Sequence, residues 1–136
     1  MVLALIIFML NTYIMKTHKI IYWISTGLLS AMMLMSAFMY FFNNAEVSAV
    51  FVALGFPTYI IYPLAIAKIL GITAIITRKS FMLKEWAYAG FFFDFVLAFS
   101  AHYMVGDGEY IPSLAALVFL MVSYIYQRKV YHYDSK

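Results

Sequence analysis

Apolar residues in this chain come in long unbroken runs rather than in alternation, and four of these runs have the length of a membrane-spanning helix. Residues 20–42 carry no charge, 57–77 carry only Lys68, 86–105 carry only Asp94 and His102, and 111–126 carry none. A bilayer core needs ~20 mostly apolar residues per helical crossing, so the pattern predicts four spans, the last one short. Barrel strands would alternate and be more numerous. Punctuation falls where the runs end: Asn43-Asn44, then Gly55-Phe56-Pro57, then Gly106-Asp107-Gly108 with Pro112. Between the first two runs, residues 46–54 (EVSAVFVAL) are too short to cross. They read either as a short interfacial or re-entrant helix ended by Gly55 or as an ordered loop.

Composition agrees with the runs. Of 136 residues, 66% are hydrophobic and 11% charged, against ~25% charged in soluble domains, and the mean hydropathy is +0.91. A water-soluble globular domain of this size could not hide that much apolar surface. With no cysteine, thiol relays, disulfides, iron–sulfur clusters and thiolate zinc sites are excluded. Residues 1–14 are apolar, too short to span, and lack the basic start of a secretory signal. They suggest a peripheral helix or, with Met15 as the true start, a misassigned extension.

Charge sets an expected orientation. Lys16, Lys19, Arg78, Lys79, Lys84, Arg128, Lys129 and Lys136 all fall on one side of the four runs, and Glu46, Asp107 and Glu109 on the other. The positive-inside rule then places both termini and the middle loop in the cytoplasm. The net charge of +3 is therefore an orientation signal, and no nucleic-acid recognition motif accompanies it. Tyr22, Trp23, Trp86, Tyr88, Tyr103, Tyr110, Tyr124 and Tyr126 lie near expected interfaces and fit aromatic belts.

Charged residues inside a span are costly and normally pair or face a cavity. Lys68 lies eight residues before Ile76, and Asp94 eight after Trp86. At ~1.5 Å per residue both sit roughly 12 Å from the same end of adjacent antiparallel helices. Positions 87, 90, 94, 98 and 101 read Ala, Gly, Asp, Ala, Ala, a small-residue stripe that allows close helix approach. The sequence thus predicts a buried Lys68–Asp94 ion pair, which either fixes helix register or forms a proton-accepting or ligand-binding polar centre. His102 could contact a ligand such as a quinone or simply satisfy a neighbour. Ser100, Glu85 and Trp86 are further candidate ligand contacts, with Glu85 alternatively a helix-terminal cap. Ser25, Ser30 and Ser36 are expected to hydrogen-bond between helices.

No metal-ligand, Walker or dinucleotide spacing is present, and Ser100 with His102 lacks a nucleophile elbow. Histidines are not placed for a bis-histidine haem, and the acidic residue that four-span multidrug exporters carry in their first span is missing.

The stretches KIIYWISTGLLSAMMLMSAFMYFF, ALGFPTYIIYPLAIAKILG and LKEWAYAGFFFDFVLAFSAHY resemble the DoxX-like family of small bacterial four-helix membrane proteins, over roughly 16–130. The most specific elements are Gly55-Phe56-Pro57, Ala67-Lys68-Ile69-Leu70-Gly71 and Glu85 to Gly90 with Asp94, Ser100 and His102. The resemblance implies an all-α antiparallel four-helix transmembrane bundle in the inner membrane. It also implies kinship with subunits linked to thiosulfate:quinone oxidoreduction or oxidative-stress assemblies and, distantly, with NACHO-type chaperones. The expected organisation is an extension over 1–15, a membrane domain over 16–130 and a cytoplasmic tail over 131–136. The leading expectation is a non-enzymatic subunit, anchor or assembly factor, partnered by lipid and by another protein or a second copy of itself. A quinone-linked redox subunit and a small-solute transporter are the alternatives.

Overall fold

The computed structural model describes residues 1–131. Of the expected tail only Tyr131 falls within them, and His132 and Lys136 lie outside the described residues. Five helices form: α1 (Val2–Phe42), α2 (Asn44–Ala53), α3 (Ile61–Thr77), α4 (Phe81–Val105) and α5 (Ile111–Val130). All but α2 are long and apolar enough, α3 counted with its leading turn, to cross a membrane. α1 packs on α3 and α5, and α4 packs on the same two from the opposite side, which closes a four-helix bundle.

Local chemistry sets the boundaries. α2 ends where Gly55 adopts φ 82°, letting the Phe56 N–H reach back to the Phe51 carbonyl at 2.8 Å in a Schellman-type stop. A 3₁₀ turn over Thr58–Ile60 then leads into α3. Pro63 sits in the first turn of α3, where its missing N–H breaks no helical bond. α3 ends at Arg78 with φ 51°, and Ser80 caps α4 by accepting from the Leu83 N–H. α4 stops at Gly106, φ 74°.

The core lies where the four helices meet: Leu29 and Met33 of α1, Ile72 and Ile75 of α3, Tyr88, Phe91 and Phe95 of α4, Ala116 and Leu120 of α5. A second cluster of Val47, Phe51 and Ile61 seats α2 across one end of the bundle. The segment 46–54 is therefore mostly a packed helix.

On α4 the buried stripe is Lys84, Tyr88, Phe91 and Phe95, not the small residues. Gly90 is exposed, and a β-carbon there would meet nothing within 4 Å. The close approach is at Gly71 of α3, where a β-carbon would come within 2.8 Å of the Phe91 ring. Tyr22 and Tyr88 are buried in the bundle rather than placed in an interfacial belt. Residues 2–19 continue α1 without a break, and up to Thr17 every residue is exposed.

Candidate functional site

Lys68 lies on the buried face of α3, one helical turn from Ala65 and Ile72. Its Nζ donates to Ser36 Oγ at 2.9 Å and to Tyr40 Oη at 3.2 Å, sits 4.3 Å from the Tyr40 ring centre, and lies 3.8 Å from Asp94 Oδ2. The matched depths counted along the sequence thus produce the ion pair. The pair is lopsided: the Lys68 side chain is 8% exposed and that of Asp94 27%. Lysine is satisfied by two α1 hydroxyls, while the carboxylate looks outward. Of the three first-span serines, Ser36 makes this interhelical bond. Ser25 and Ser30 instead bond to carbonyls of their own helix, as hydroxyls in apolar helices readily do.

Two cavities meet at Asp94. One, about 330 Å³, lies beneath α2 and is walled by Tyr40, Phe51, Phe56, Leu97 and Ala98, with Glu46 and His102 also lining it. The other, about 750 Å³, is a half-open groove between α3 and α4, running from Lys68 and Asp94 past Gly71 and Gly90 to Trp86, Lys79 and Ser80. Leu64 and Asp94 line both. Ala87, Gly90 and Asp94 of the small-residue stripe therefore line a groove instead of closing a helix contact.

The DoxX-like family profile matches residues 24–125, three quarters of the chain. The chain belongs to the DoxX-like family. Comparison with curated proteins and with solved structures gives no match. The matched region is narrower than 16–130. It starts two residues after Tyr22, the first buried position of α1, and ends two before the buried Gln127, so it covers most of the packed bundle and leaves the exposed start of α1 outside.

Within this DoxX-like bundle the other expected contacts separate. His102 lines the cavity under α2, and its Nδ1 lies 2.8 Å from Asp107 Oδ2. The Asp107 carboxyl also accepts from the Glu109 N–H at 2.9 Å. These two bonds, the backbone one foremost, hold it below the usual carboxylate range. The sign follows: the contact stands at neutral pH and is lost only as pH falls through that lowered value. Ser100 is exposed and donates to the Val96 carbonyl, so it does not join His102. Trp86 is 65% exposed and rims the α3–α4 groove.

Glu85 does not cap α4. The helix begins at Phe81, five residues earlier than the apolar run, so Ser80 takes the cap and Glu85 falls beyond the first turn. There Glu85 Oε2 accepts from Tyr124 Oη at 3.0 Å and from Arg128 Nη2 at 3.1 Å, tying α4 to α5.

A second polar layer escaped the sequence reading. Ser123 bonds Thr26 at 2.7 Å and Tyr88 at 2.8 Å, and Lys84, only 3% exposed, donates to Gln127 Oε1 at 3.0 Å. Lys84 precedes the apolar run and so reads from the sequence as a loop charge. Its spacing of four from Tyr88 and seven from Phe91 puts it on their face of the helix, which only the packing shows to be the buried one.

Proposed function

We propose that this DoxX-like protein is a non-enzymatic membrane subunit whose Lys68–Asp94 centre holds the polar head of an amphiphile that enters from the bilayer. The observation that carries the reading is the position of Asp94, half-buried and lining both cavities. A pair that only fixed register would be sealed between helices. Here the carboxylate faces space bounded mainly by apolar side chains, the usual form of a small-molecule site. With the basic residues taken to lie in the cytoplasm, α2 and the smaller cavity face the opposite side of the membrane.

A quinone-linked redox subunit is the second reading, favoured by His102 lining the same cavity as Asp94. With Nδ1 donating to Asp107, a neutral His102 presents Nε2 as an acceptor, which suits the hydroxyl of a quinol. Photo-crosslinking separates the readings. Benzoylphenylalanine placed at Leu97, which lines the smaller cavity, should capture an amphiphile in native membranes, and the adduct mass names it. Capture lost on adding Asp94→Asn supports the site. Equal capture with and without that substitution contradicts it.

A further inference from the structure

The cavity under α2 has an uneven chemistry. Its charged lining residues are Glu46 and Asp94, both carboxylates, and neither lysine nor arginine lines it. Lys68 stands on the far side of Asp94, lining the other groove, with its Nζ donating to the α1 hydroxyls of Ser36 and Tyr40. Among the described residues Asp94 has that 3.8 Å ion pair and no hydrogen bond of its own. A carboxylate offers only acceptor oxygens, and His102 is engaged through Nδ1 by Asp107 at 2.8 Å. Three aromatic rings, those of Tyr40, Phe51 and Phe56, complete the wall.

From this we infer that the cavity takes a lipophilic monocation, a protonated amine on an apolar body, with Asp94 as its counter-charge; this rests on the reading of Asp94 as a ligand-facing group. Two carboxylates against the single Lys68 ammonium leave one net negative charge, which one ammonium neutralises. Glu46 is exposed at the rim, so the carboxylate an ammonium meets inside the cavity is Asp94, shared with Lys68. The ammonium protons supply the hydrogen bonds Asp94 lacks, and the ring faces favour a cation. A carboxylate ligand would meet like charge. A ketone or ester head would find the Tyr40 hydroxyl as its one side-chain O–H donor in the wall, against two carboxylates. The volume of about 330 Å³ lies at the small end of ligand sites, ~300–1,000 Å³, which suits a single substituted ring.

Three near-isosteric probes test this on the full chain in lipid nanodiscs: phenylbutylammonium, phenylbutanol and phenylbutyrate, measured by equilibrium dialysis against empty nanodiscs. The ammonium should bind at least about tenfold more tightly than the alcohol, equivalent to ~1.4 kcal/mol, and the carboxylate no better than to empty discs. Asp94→Asn should erase the preference. Because that change also removes the ion-pair partner of Lys68, two milder variants accompany it. Glu46→Gln, at an exposed position, should weaken ammonium binding about threefold, the smaller effect expected of a rim charge, and Ala98→Phe should block the cavity. Alcohol and ammonium binding equally would overturn the monocation while leaving a ligand site. No probe binding above empty discs would overturn the ligand-site reading as well.

Discussion

Lys68 directs its protons toward acceptors on two helices, α1 and α4, so removing Asp94 does not leave it bare. A double-mutant cycle on detergent-solubilised protein with Lys68→Met and Asp94→Asn should therefore show a coupling at the lower end of the ~0.5–3 kcal/mol seen for contacting groups. Strictly additive losses would argue that the two do not interact. The two glycines facing the α3–α4 interface make a sharper contrast. Gly71→Ala places a β-carbon against the buried Phe91 ring and should cost ~1–3 kcal/mol. Gly90→Ala meets nothing and should be neutral or stabilise by up to ~1 kcal/mol. Thermal unfolding of the pair decides which glycine the packing requires. The ion pair could be read from residue counting because helical rise converts sequence distance into depth. Which α4 face is buried could not, since lipid is as apolar as the core and both faces carry apolar side chains.

At the level of elements, α1 presents two halves. Its 41 residues span roughly 60 Å, about twice the ~30 Å hydrocarbon core, and its packing against the bundle begins at His18, which meets Tyr126 of α5. Deleting residues 1–14 should leave the unfolding transition of the bundle within ~0.5 kcal/mol of the full chain, as for changes remote from packing. A large loss of stability would mean that this segment holds the fold. α3 carries its own signature at its end. Arg78 accepts a left-handed backbone, which disfavours a side chain by ~1–2 kcal/mol, and places its guanidinium 3.8 Å from the Tyr131 ring centre, near Tyr22 and Trp23. Arg78→Ala keeps the backbone cost and loses the rings, so it should destabilise by ~1–2 kcal/mol. Unfolding in detergent checks this, and an unchanged transition would show the ring cage to be idle. The run boundaries announced the turns well, because Gly and Pro chemistry is local. The true start of α4 was hidden, because Phe81 to Glu85 mixes apolar and charged residues and only its burial reveals a helix.

Across the whole molecule, polarity is layered. Near the α3–α4 turn, Thr26, Ser123, Tyr88, Lys84 and Gln127 knit α1, α4 and α5. Further along, Ser36, Tyr40, Lys68 and Asp94 join α1, α3 and α4. The first layer is closed and reads as architecture. The second opens onto two cavities, and that difference supports the proposed ligand site. Four spans and one ion pair were legible because hydropathy and charge are one-dimensional signals. The cavities were not, because they arise from which helix faces fail to meet. Native mass spectrometry of the protein released gently from its own membrane tests the central claim most directly. The account predicts a bound amphiphile on the intact chain that is lost in Asp94→Asn and in Ala98→Phe while the protein stays folded. A folded protein that emerges with its cavities empty of any retained molecule, or one whose bound amphiphile survives both substitutions, would contradict it.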